Sequence, residues 1–472
     1  MAQKLERKYG LFTAICMVVG IVMGSGVFFK AQTILDKTNG NIITGVIAWL
    51  IGGSIMLACL LTFSFMAQKY ERVNGLVDYA ETTVGTKYGY LMGWFTSTIY
   101  FPCLTAALAW LTARYTLEFI TSANPAFPML IPVEEGGCIM GPECITLTLF
   151  FLCMTYIVNT VSPKIAGRLQ TSTTIIKMIP LAAMSIIGII YGLYHQTLQE
   201  NIIMTQSANT VSNPMLAAVC STAFAYEGWI IAVTINAEIK DSKRTLPKAL
   251  IIGAIIIICT YVLYFLGVSG AAAKEDLINK GATIAYTNIF GGFLGNILNL
   301  FVAVSCLGTC NGLMLGCSRG MYSIATRGHG PKPHLFKQVD GHTNMPTNSA
   351  LFALLCITLW FVYFYFSNLA GTWNGPFVFD CTELPVLSIY LMYIPIFVQW
   401  MRKEKGESIL RRFIVPSLAI IGCLFMMIAS IFAHGASCIW YLIVYAAIMA
   451  LGAFLYKSKT EKKQAPLSKI NA

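Results

Sequence analysis

The chain has 472 residues, 56% of them hydrophobic and only 11% charged, where a soluble chain carries about a quarter of its residues as Asp, Glu, Lys and Arg. That balance excludes an ordinary soluble fold. The formal charge of +11 takes its meaning from where the basic residues sit, not from its sign alone.

Apolar runs of roughly 20 residues, the length that crosses about 30 Å of hydrocarbon as a helix, recur along the whole chain. They predict twelve spans: 11 to 36, 41 to 67, 84 to 120, 145 to 161, 169 to 194, 212 to 238, 248 to 272, 286 to 325, 347 to 366, 376 to 400, 413 to 433 and 437 to 456. The ten-residue apolar/polar alternation of a membrane β-barrel dominates nowhere. The longest polar connections, near 121 to 144 and 327 to 346, are too short to fold alone. The expected fold is an all-α membrane protein with twelve transmembrane helices, one domain over 1 to 472.

With the N-terminus placed in the cytoplasm, Lys and Arg gather in the inward connections at 4–8, 69–87, 164–168, 240–248, 319–337, 402–412 and 457–469. Lys30, Lys37, Arg114, Lys274 and Lys280 fall on the other side, and Lys177 lies inside a span. This bias predicts a plasma (inner) membrane protein with both termini cytoplasmic, its basic residues meeting anionic lipid and no nucleic acid. The segment before the first span carries no small-residue cleavage site, so that span is expected to be retained.

Most of the fifteen cysteines are spread one per span, as small core hydrophobes are. Cys138 and Cys144 share the long outward loop and could be bridged or free. His195, His329, His334, His342 and His434 lie in loops or at helix ends without ligand spacing, and no nucleophile or paired acid stands at membrane depth. Neither an enzyme, a resident metal nor a cofactor is expected.

In chain order, the first irregularity is Gly24-Ser25-Gly26 in the middle of the first span, where each glycine costs a helix about 1 kcal/mol. An unwound turn there would aim the N–H groups of Ser25 and Gly26, at the positive end of the next half-helix, toward a carboxylate. Carbonyls around Ile21 and Val22 would accept from an ammonium group. Glycines in membrane helices also serve close packing, but a second break follows in the sixth span at Tyr226-Glu227-Gly228. Five spans separate the two. That odd offset predicts inverted five-helix repeats, about 11–194 and 212–400, with discontinuous first and sixth helices and helices 11 and 12 appended, which is the pattern of a secondary transporter.

Between the breaks, Lys177 sits mid-way along the fifth span, where an ammonium costs about 2.5 to 3.5 kcal/mol unless it is paired or faces a polar cavity. Gln170 and Pro180 flank it too far from either end for easy snorkelling. Glu227 could meet a substrate cation, carry a proton, or be satisfied by the N–H groups of its own break. Asp380 and Glu383 follow the turn formers Asn374, Gly375 and Pro376; Ser388 is a candidate for the far end of a pocket.

Gly20-x-x-x-Gly24-Ser25-Gly26-Val27-Phe28 resembles the first-helix signature of the amino acid, polyamine and organocation transporter superfamily. Phe224-Ala225-Tyr226-Glu227-Gly228-Trp229, with Glu238-Ile239-Lys240 and Leu246-Pro247-Lys248-Ala249 after it, resembles the sixth helix and inward loop. Gly93-Trp94, Gln170 through Lys177, and Asn311-Gly312 with Arg319 extend the likeness over nearly the whole chain, closest to the L-type amino acid transporter branch with its bacterial exchangers and permeases. The resemblance implies that Ser25 and Gly26 hold a substrate carboxylate. It further implies that Val22, Phe224 and Glu227 offer carbonyls to the amino group, and that the Phe224 ring gates the site. It also implies that Lys177 fills the cation position of sodium-coupled relatives, reaching the Gly20 carbonyl region and Ser305. The sequence departs from the pattern at Glu71 to Tyr79, without the usual proline and paired glycines, and at Arg411-Arg412-Phe413.

The leading expectation is a sodium-independent exchanger of small or medium neutral L-amino acids, with no obligatory partner subunit. The alternatives are a proton-coupled importer, of cationic amino acids or amines if Glu227 faces the ligand, and a non-transporting sensor. A sensor usually carries a signalling tail, and the Lys-rich end after Tyr456 is expected to be short and disordered.

Overall fold

A computed structural model describes residues 7, 9–24, 26–70, 74–203, 213–234, 238–373 and 375–456. Ser25, residues 71–73 and the Lys-rich end from 457 onward therefore lie outside the described residues. Eleven helices among the described residues are long and apolar enough to cross a membrane. Counting Leu11–Val22 and Gly26–Lys37, bent by 50° from each other, as one broken span makes twelve.

Local chemistry explains where the helices begin. Asn41 caps Ile42–Lys69 by accepting from the Thr44 N–H at 2.9 Å. Pro142, Pro163, Pro214 and Pro385 each stand in a first turn, where the missing N–H costs nothing. The tenth span starts at Leu384 rather than at 376. Ahead of it, the Asp380 carboxylate accepts from the N–H groups of Thr382 and Glu383, holding the chain in a turn until Pro385 can open the helix. The seventh span reaches back to Ser242 and carries Pro247 in its second turn.

Three long helices depart from regular α geometry. In the fifth, Pro180 removes one ladder bond and the wide-turn segment Met184–Gly188 follows it. The third has a wide segment at Thr96–Tyr100. Ala282–Thr326, the eighth, is interrupted at Gly291, whose φ of 82° is open to glycine without strain.

Close packing sets the scaffold. The fifth and seventh spans meet on small residues: a Cβ on Gly267 would stand 2.1 Å from the Met184 carbonyl oxygen, and one on Gly192 2.5 Å from the Gly270 Cα. The third span, buried along most of its length, packs most extensively on the eighth. The broken first span sits inside this frame. Leu11–Val22 touches the fifth, seventh and eighth spans and the Ile230–Thr234 half of the sixth; Gly26–Lys37 lies against the other half, Pro214–Ala225. The two breaks are thereby brought together deep in the bundle.

Cys138 and Cys144 are buried free thiols. Among the described residues the only extended pairing is an isolated parallel bridge between Tyr9 and Ile239.

Candidate functional site

The first break follows from lost helical bonding. The Met23 N–H still reaches Val19 O at 2.8 Å, but the Gly24 N–H turns back to Val22 O at 2.8 Å, and the helix resumes at Gly26. In the sixth span the helix ends at Ala225 and resumes at Ile230. Gly228 carries the chain through φ 103°, and a Cβ on it would meet Ile21 Cγ2 at 2.9 Å. The breaks touch: a Cβ on Gly26 would stand 2.8 Å from the Ala225 Cα. Glycine is required here for backbone approach as well as for conformation.

Buried carbonyls released at these ends need donors. The Tyr261 hydroxyl of the seventh span lies 3.1 Å from Val22 O and 2.9 Å from Ala225 O, bridging the ends of both first halves. Lys177 Nζ donates to Gly20 O and Met23 O, each at 2.6 Å, and lies 3.3 Å from Ser305 O. The Ser305 hydroxyl reaches Met23 O at 3.1 Å and Gly24 O at 3.2 Å, and Thr309 Oγ1 reaches Gly20 O at 3.3 Å. An ammonium with no solvent exposure thus sits among peptide oxygens of the first and eighth spans. Three carbonyl acceptors match its three N–H bonds.

Of the substrate residues expected from sequence, Val22, Gly24, Gly26, Phe224, Glu227 and Gly228 line one central cavity. Ser388 does not: it is buried in the tenth span, sharing a 2.7 Å hydrogen bond with the Tyr441 hydroxyl. The cavity is completed by Leu104 and Leu108 of the third span and by Thr309 and Leu313 of the eighth. Its volume is about 20 Å³, enough for about one water, so an amino acid enters only as the walls move. The Glu227 carboxylate is buried; its Oε2 accepts a short hydrogen bond from the Tyr100 hydroxyl, and the Tyr390 hydroxyl and the Gly228 N–H also lie against the carboxylate.

Chambers lie on both sides of this closed centre. Phe224 borders the central cavity and also a chamber of about 360 Å³ lined by Lys30, Asp380 and Glu383. Lys30 pairs with Glu383 and stands 5.6 Å from the Phe224 ring centre, and Glu383 Oε2 also meets His434 Nε2 at 3.0 Å. At the end of the bundle that carries the N-terminus, a basic chamber of about 610 Å³ includes Arg7, Lys164, Arg168 and Lys240. Above it the Tyr9 N–H bonds Glu238 O at 3.0 Å and the Lys240 N–H bonds Tyr9 O at 2.9 Å. Arg319 grips the Glu238 carboxylate with two bonds of 2.6 and 2.9 Å, both side chains buried.

Tyr261, Thr309, Tyr100 and the third-span leucines escape a reading of the sequence alone. Tyr261 is not singled out by its neighbours, since Thr260 and Tyr264 also carry hydroxyls; the leucines left no trace either, because nothing separates a pocket-lining leucine from a lipid-facing one along a chain.

A bundle of apolar helices, broken twice at its centre between two chambers, has the architecture of a secondary transporter. The amino acid permease profile matches residues 9–454, and the chain belongs to that family of multi-pass membrane transporters. It is similar, with 27% identity over 445 residues (92% of this chain, 93% of the relative), to the serine/threonine exchanger SteT of Bacillus subtilis (strain 168). Two human relatives are more distant. The large neutral amino acids transporter small subunit 2 is 25% identical over 72% of this chain and 62% of its own length. The Asc-type amino acid transporter 1 is 23% identical over 69% and 60%.

Proposed function

We propose that the chain is a sodium-independent exchanger of small or medium neutral L-amino acids, working by alternating access between two inverted repeats. The observation that carries this reading is the Lys177 ammonium held by carbonyls of Gly20, Met23 and Ser305. A tethered cation there supplies the charge that a free ion would otherwise bring, and with no ion moving, the return step is driven by a second substrate. Exchange is also what the name of the similar Bacillus protein states. In this reading Ser25 and Gly26 receive the carboxylate and the carbonyls around Val22, Phe224 and Glu227 receive the amine. Phe224 swings to admit the ligand, and the leucines and Thr309 leave room for a short side chain. Both termini are cytoplasmic, so the basic chamber opens inward, and the chain functions without a partner subunit. Purified protein in sodium-free liposomes should take up labelled serine, threonine or alanine many-fold faster when the vesicles are preloaded with an unlabelled neutral amino acid. Equal uptake into empty vesicles would contradict exchange.

One observation favours a second reading. Glu227 lines the cavity with a buried carboxylate, a position suited to a proton or to a cationic substrate group. Under that reading uptake into empty vesicles follows an imposed pH gradient and Glu227→Gln abolishes the dependence; under the first, the gradient has no effect.

A further inference from the structure

We propose that Cys220, Glu383 and His434 form a site for a zinc-class divalent cation that pins the outer half of the sixth span. One ligand atom from each of the three lies within 4.8 Å of the others. A tetrahedral zinc ion bound to thiolate, imidazole and carboxylate holds its ligands at about 2.0 to 2.3 Å, hence roughly 3.5 Å from one another. Side-chain adjustment of about 1 Å closes that difference. The donor set is itself selective: a thiolate with an imidazole favours zinc or cadmium, while magnesium and calcium require oxygen ligands.

The three residues come from three elements. Cys220 is in the outer half of the sixth span, Glu383 immediately precedes the tenth, and His434 ends the eleventh. Their spacing along the chain gives no hint of a site. Lys30 engages Glu383 through Oε1, and Oε2, facing His434, is the oxygen an ion would take. The ion would replace the proton shared across the 3.0 Å contact between His434 Nε2 and Glu383 Oε2 and displace the thiol proton of Cys220; both protons leave to solvent. Ser430 Oγ, 3.7 Å from Cys220 Sγ, fixes the thiol side of the cluster. Access is from the outer chamber, which Glu383 lines, and both Glu383 and His434 keep about 16 and 15% side-chain exposure. The fourth coordination position is left to water.

Cys220 is one helical turn before Phe224, on the same face of Pro214–Ala225. An ion that ties Cys220 to the tenth and eleventh spans therefore holds the ring that separates the outer chamber from the central cavity. This consequence, though not the binding itself, rests on the transport reading above.

Cadmium titration of the purified full-length protein tests the site through thiolate-to-metal charge-transfer absorption. One saturable equivalent is expected, its absorption lost in Cys220→Ser and its affinity reduced at least about tenfold in His434→Gln. No saturable binding, or absorption indifferent to both variants, overturns the site; if Cys220→Ser fails to fold, the His434→Gln comparison still decides. In liposomes, zinc in the outer medium should slow wild-type exchange and lose that effect in His434→Gln. Binding with undiminished wild-type exchange overturns the pinning. Absence of exchange without metal would contradict the transporter reading and leave the titration to judge the site.

Discussion

Lys177 is the residue on which the centre of the molecule turns. Its ammonium satisfies carbonyls exposed by the broken first span, and each buried polar group left without a partner costs about 1–3 kcal/mol. Lys177→Met keeps most of the length of the side chain and removes all three donors. We expect exchange to fall at least tenfold, with a lowered melting temperature, in a protein that still elutes as a single species; flux within twofold of wild type would refute the role. Gly228→Ala asks the same question of the second break. A Cβ at φ 103°, 2.9 Å from Ile21, should destabilise the fold by more than about 1 kcal/mol and reduce substrate affinity, both readable by thermal shift with and without ligand. The break residues Gly24, Gly26 and Gly228 and the intramembrane Lys177 were legible in the sequence because each violates the rule for an apolar helix. Tyr100 and Leu104 were not, because tyrosine and leucine are ordinary in a span and only tertiary contact gives them a place.

At the scale of elements, two closures hold the ends of the pathway. The one beside the basic chamber joins the segment at Tyr9 to Glu238 and the eighth span, through backbone pairing and the buried Arg319–Glu238 fork. Removing one partner of such a pair leaves an uncompensated charge and costs about 3–5 kcal/mol. Arg319→Ala should therefore destabilise strongly, while the double variant Arg319→Leu, Glu238→Leu recovers much of the loss in a denaturation cycle; simple additivity would show that the pair is not coupled. Most helix boundaries were legible to within about a turn, but the fifth and seventh spans begin earlier than expected, at Pro163 and Ser242, because a first turn tolerates proline and charge. They drifted at the tenth span, where residues 376 to 383 are apolar enough to extend the run but are held in a turn by Asp380. The cluster of Lys30, Glu383 and His434 was invisible for another reason: Lys30 lies 353 residues before Glu383 and His434 lies 51 after it, with no spacing that marks a site, and Glu383 read as a loop carboxylate.

The whole molecule combines a closely packed frame with a discontinuous, polar centre. The glycine seam between the fifth and seventh spans and the long interface of the third with the eighth fix the frame. The half-helices of the first and sixth spans are joined to it through discrete polar contacts at Lys177, Tyr261 and Glu238. A central cavity of about 20 Å³ lies between chambers of about 360 and 610 Å³, and polar contacts of this kind can be exchanged without unpacking the frame.

Recognition by the broken helices rather than by a side-chain pocket is the central claim, and it demands both charged ends of an amino acid. Competition against labelled serine by purified protein in sodium-free liposomes tests it most directly, comparing free alanine with its methyl ester and its N-acetyl derivative. The account predicts competition by alanine and at least about a tenfold loss for each blocked compound, since each leaves buried donors or acceptors unpaired. Equal competition by either derivative would contradict it.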